Sequence, residues 1–119
     1  MEFLRHLPDF YLLLADLLNM IQLDREDRAY VCGALAYLVA PADWIPEAIH
    51  GAAGYIDDLF IAAYVIDRLA SKYGVEPIKG LWEGEGDFLK VHAACFAASS
   101  ERMEKCGLTQ KALKYVGLA

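Results

Sequence analysis

The sequence predicts an all-α protein: a compact bundle of about five helices packed around an apolar helical hairpin. Three observations carry that expectation. Apolar residues recur at helical spacing along most of the chain, proline and glycine punctuate the gaps, and no segment alternates with period two for long enough to argue a strand. At 119 residues there is room for one domain, 1–119, and for no second core.

The first helix is expected to open at Pro8, where a missing amide costs nothing, with Asp9 favourable at the positive end of the dipole. Phe10, Leu13, Leu14, Leu17, Leu18 and Ile21 then fall on one face. Asp24, with Asp27 three residues on, suits the N-terminus of a second helix. From Ala29 to Ala40 that helix is apolar on every face, through Tyr30, Val31, Leu35, Tyr37, Leu38 and Val39, which predicts a central position. Pro41 stops it, because the residue before a proline is pushed out of helical geometry.

Residues 41–57 form a connector in which Pro46 can open a short turn and Gly51 and Gly54 permit bends. The next helix starts near Asp57. Leu59, Ala62, Ala63, Ile66, Leu69, Ala70 and Tyr73 give it the clearest periodicity in the chain, and Gly74 with Pro77 ends it. A glycine- and acid-rich link from Gly80 to Asp87 follows. The fourth helix runs to about Cys106, with Phe88, Val91, His92, Cys95, Phe96, Ser99 and Met103 inward. Gly107 suits its C-cap, and Thr109 opens a last short helix.

Composition narrows the function classes. The chain is 57% hydrophobic with a mean hydropathy of +0.26, a net charge of −6 and a pI near 4.9. Its eleven basic residues are scattered, so the field repels nucleic-acid phosphates and anionic membrane surfaces. The uncharged run from Ala29 to Ala42 reaches about 21 Å as a helix, short of the roughly 30 Å of a hydrocarbon core, so no transmembrane span is expected. Asp9 and Asp16 interrupt the N-terminal segment, which argues against a signal peptide and against peripheral membrane docking. Cys32, Cys95 and Cys106 make an odd count without paired spacing, and together these features predict a cytoplasmic protein with small buried thiols.

Asp43, Glu47, His50, Asp57 and Asp58 flank the reversal between the two most apolar helices. Three readings fit them. In the first, Asp57 sits at the N-cap and satisfies free amides of the helix it opens, Asp58 in the first turn is favoured by the helix dipole, and Asp43 bonds to amides of the connector. Alternatively, Asp43, Asp57 and Asp58 hold a divalent metal ion, or act as acid and base with split pKa values. In the third reading, they meet a partner. Adjacent helical residues point about 100° apart, which sets Asp57 and Asp58 against gripping one ion together. His92 on an inner stripe reads as a hydrogen-bonded core residue, and Gly84-x-Gly86 lacks the strand–turn–helix setting of a phosphate loop.

The run from Ala34 to Leu59 resembles the YkvA-like domain family: an apolar helix, Pro-x-Asp-x-Ile-Pro-Asp, a short stretch, Gly-x-x-Asp-Asp and a second apolar helix. Pro41, Asp43, Ile45, Pro46, Gly54, Asp57 and Asp58 fall on that pattern. Glu47 replaces the usual aspartate and His50 the usual proline. The resemblance spans a core of about 29–73 and implies a helical hairpin locked by its aspartates. It implies no reaction and no cofactor. The expectation is a non-catalytic module that uses surplus apolar helix surface to self-associate or to bind a partner protein. Its rival is a divalent-metal-binding domain or metal-dependent hydrolase.

Overall fold

An 18-residue helix, α3 (Ile56–Tyr73), is the axis against which the four other α-helices of known extent pack among the described residues. Ahead of it come a 3-10 turn (Glu2–His6), α1 (Leu7–Leu17) and α2 (Arg25–Leu38); α4 (Val75–Leu81) and α5 (Phe88–Cys106) follow. The computed structural model describes residues 2–20, 22–38, 56–107 and 114. Among these there is no strand, and no helix is long and apolar enough to cross a membrane. The expected turn at Pro46 and the expected helix after Thr109 lie outside the described residues.

Asp57 to Ala63 are buried without a break, followed by Val65, Ile66 and Leu69. A helix buried on all faces over about two turns belongs at the centre. The sequence assigns that place to α2, and the structure corrects it. Of α2's residues, Val31 and Ala34 are buried and Tyr30 and Leu35 half-buried, while Ala29, Cys32 and Ala36 are exposed. The outward residues are apolar in kind but small, so burying them recovers little area. The larger side chains of α3 win the interior.

Helix ends follow local chemistry. Asp24 caps α2, its Oδ1 accepting from the Asp27 amide at 2.8 Å. Asp87 caps α5 by accepting from the Lys90 amide at 3.1 Å, and Gly107, at φ +67°, takes the left-handed C-terminal position the sequence predicts. Between α1 and α2, the Arg28 guanidinium donates to the carbonyls of Leu18, Met20 and Leu23, and the Met20 carbonyl also accepts from the Leu23 amide at 3.3 Å, so one side chain ties the end of α1 to the turn that follows.

One helix departs from expectation. Gly74 and Pro77 predict a stop and then a link, yet Val75–Leu81 is helical, with Ile78 fully buried. Gly74 adopts φ +92° and turns the chain after α3, and α4 then starts at once. Pro77 falls in the first turn, where a missing amide is tolerated.

His92 joins three helices. The Ala63 carbonyl can only accept, so the ring donates from Nε2 across 2.9 Å. The ring stacks on Phe88 at 5.6 Å and stands edge-on to Phe10 of α1 at 6.3 Å. This is the core histidine the helical stripe predicts. Ser99, also buried, returns its hydroxyl to the Cys95 carbonyl of its own helix at 2.7 Å.

Candidate functional site at the two ends of α3

Asp57 and Asp58 occupy the first turn of α3 and are 0% and 4% exposed. Helix α3 begins one residue before Asp57, which puts both acids at the positive end of the dipole. Asp57 Oδ1 accepts from the Asp58 amide at 2.9 Å, a bond to one of the amides a helix start leaves open. Asp43, Glu47 and His50, the other members of the predicted cluster, lie outside the described residues. Among the described residues no group of three or more His, Cys, Asp or Glu stands close enough to hold a metal ion.

The far end of α3 carries a second cluster. Asp27, fully buried, accepts from the Tyr73 hydroxyl at 2.6 Å and faces the Lys72 ammonium at 2.7 Å, both on Oδ2. The same Tyr73 oxygen accepts from the Asp24 amide at 3.1 Å. In an ordinary capping box the acid three residues into the helix bonds directly to the cap amide. Here the Tyr73 hydroxyl is inserted between them, so the start of α2 and the end of α3 share one cap.

Lys72 also meets Asp24 Oδ2 at 2.5 Å, and thus bridges two carboxylates. Asp27 Oδ1 has no hydrogen-bond donor; Arg68 Nε is 3.8 Å away, and its guanidinium also lies 4.6 Å over the Tyr30 ring. The Asp27 amide first, and Lys72 second, hold the Asp24 carboxyl below its ordinary value. Asp24 and then Asp27 push Lys72 above the usual lysine range, and the bond to Asp27 raises Tyr73. Both Asp24 oxygens and Asp27 Oδ2 are engaged within the protein, so this cluster fastens helices together.

The Asp24/Asp27 spacing was visible in the sequence, but its partners stand 46 to 49 residues away with no local signal. The cysteines divide. Cys95 is buried and its thiol pushed up to about 11 by that burial, whereas Cys32 is exposed on α2. His6, in the 3-10 turn, is 7% exposed and accepts from Arg5 Nε at 3.3 Å.

Fold and clusters together define a small all-helical domain in which, among the described residues, Asp24, Asp27 and Lys72 join the start of α2 to the end of α3. A family described as "Protein of unknown function (DUF1232)" matches residues 27–64. The uncharacterized protein ORF9 of Methanothermobacter thermautotrophicus is 34% identical over 114 residues, covering 95% of this chain and 76% of that one. E3 ubiquitin-protein ligase RNF170 of Danio rerio is 58% identical over 43 residues, 36% of this chain but 16% of the ligase. Its counterpart from Xenopus laevis is 46% identical over 48 residues, 39% of this chain and 19% of that one. No solved structure matches the chain. The chain belongs to the YkvA-like family, the family of the DUF1232 description.

Proposed function

We propose that this domain is a non-catalytic interaction module that associates with a second copy of itself through the outer face of α2. One observation carries the reading: α2 has no charged residue from Ala29 to Leu38, yet Ala29, Cys32 and Ala36 are exposed. These positions are three and four apart and so share a face, with half-buried Gly33 beside them. Side chains this small let two helix backbones approach closely, and a two-fold axis at mid-helix brings Cys32 near its mate. A matching stretch within the much longer RNF170 chains supports a module that can be built into larger proteins. Its exposed free Cys32 favours the reducing cytoplasm.

Sedimentation of the full chain tests this directly, and is expected to give a dimer that Ala36→Glu converts to a folded monomer. Mild oxidation in a Cys106→Ser background should cross-link Cys32 to Cys32, because Cys95 is buried. A wild-type monomer at high concentration would refute the proposal. Asp57 and Asp58 are read as fastenings of the connector. A melting temperature that rises with magnesium, manganese, calcium or zinc, and loses that rise in Asp58→Asn, would reassign them to a metal site.

A further inference from the structure

We infer that the outer face of α1 is a docking surface for a basic amphipathic helix of a partner protein. Among the described residues three large apolar side chains are exposed, and two of them are neighbours here, Tyr11 at 41% and Leu12 at 47%. Exposed Pro8 and half-buried Ala15 complete the patch, since positions 8, 11, 12 and 15 lie three and four apart on one side of the helix. That spacing is the seam into which a second helix packs its own side chains. Phe10, Leu13, Leu14 and Leu17 fill the core from the opposite side, so α1 is apolar on both faces.

Charge chooses the occupant. Leu12 has Asp9 three residues before it and Asp16 four after it. The Glu85 amide donates to Asp9 Oδ2 at 3.3 Å, which sets the loop carrying Glu83 and Glu85 beside the helix. Asp24, Glu26, Asp27 and Glu101 each have a lysine or arginine partner. Asp9, Asp16, Glu83 and Glu85 have none among the described residues, which hold every lysine and arginine but Lys111. Basic side chains flanking an incoming apolar stripe meet these four acids. The same acids repel an anionic membrane surface, and a second copy laid on this face brings a duplicate set of them. The surface lies on a different helix from the self-associating face of α2 and does not depend on it.

Titration of the ¹⁵N-labelled full chain with a synthetic leucine–lysine peptide tests the surface. The probe carries leucine at helical spacing and lysine between, over about 14 residues or four turns. Its control replaces every lysine with glutamate. The lysine peptide is expected to shift the amides of Leu7–Leu17 and of residues 83–85 saturably, and the glutamate peptide to leave them in place. Leu12→Ser should weaken the lysine peptide about tenfold, the scale of a lost central contact. Asp16→Asn should weaken it about threefold and flatten its salt dependence. Both variants should keep the wild-type spectrum away from α1. No saturable shift, shifts spread over acids on every helix, or equal affinity in Leu12→Ser would overturn the proposal. Equal shifts from the glutamate peptide or from phosphatidylglycerol vesicles would overturn it too. So would α1 amides that move with protein concentration alone, which would give the face to a second copy.

Discussion

At the scale of single residues, the loop between α4 and α5 shows how a small side chain is enforced by its neighbours. Trp82 packs against Phe10 and Phe88 with ring centroids 5.5 and 5.6 Å away, and its Nε1 donates to the Gly86 carbonyl at 3.0 Å. Gly84 lies under that indole: a β-carbon there would fall on the ring and within 2.8 Å of Asp9 Cβ. The ring is held on two sides and has little freedom to yield. Gly84→Ala is therefore expected to cost about 1–3 kcal/mol by overpacking. Gly80, inside α4, faces open space, and Gly80→Ala should stabilise by about 0.4–1 kcal/mol through the unfolded chain. Urea denaturation of the two variants checks the contrast, and equal effects would contradict it. The sequence shows both glycines in one acid-rich link and gives no means of separating them, since the indole over Gly84 is a tertiary fact.

At the scale of elements, the shared cap between α2 and α3 has a pH range that follows from its charges. Asp24 is depressed in the folded state, so its contribution is present above the ordinary carboxylate value and lost as pH falls below it. Lys72 and Tyr73 are raised, so theirs is present below the ordinary lysine and tyrosine values and lost as pH climbs past them. The clamp should hold at constant strength between about pH 5 and pH 9 and weaken on both sides. The difference in melting temperature between wild type and Lys72→Met isolates it. That difference is expected to be level across the plateau and to shrink below about pH 4 and above about pH 10. A difference that ignores pH would show that Lys72 acts only through its methylenes. The cap half of this clamp could be read from Asp24 and Asp27 because capping is local. Lys72 and Tyr73 look, in sequence, like the plain end of an amphipathic helix.

At the scale of the whole molecule, periodicity made the helices legible, and size decided their arrangement. The inner stripe of α5 was readable from Phe88 through His92, Cys95 and Ser99 to Met103, all buried, because the three- and four-residue spacing is a property of the helix itself, while Val91 and Phe96 at the stripe's edge are half-buried. The choice of central helix was not, since hydropathy treats alanine and glycine as apolar without regard to the area they bury. That error locates the surface at issue: α2 is too apolar to be an ordinary solvated helix and too small in side chain to win the interior. If a second copy covers it, folding and association are linked, and stability depends on concentration. For a dimer unfolding to two chains of 119 residues, a tenfold rise in concentration should raise Tm by about 3 °C. Ala36→Glu, on the exposed face, should abolish that dependence and bring Tm to a value independent of concentration. Calorimetry over a hundredfold concentration range reads both outcomes. A wild-type Tm that stays fixed throughout would leave α2 an uncovered face on a monomer, and the proposed self-association would fall with it.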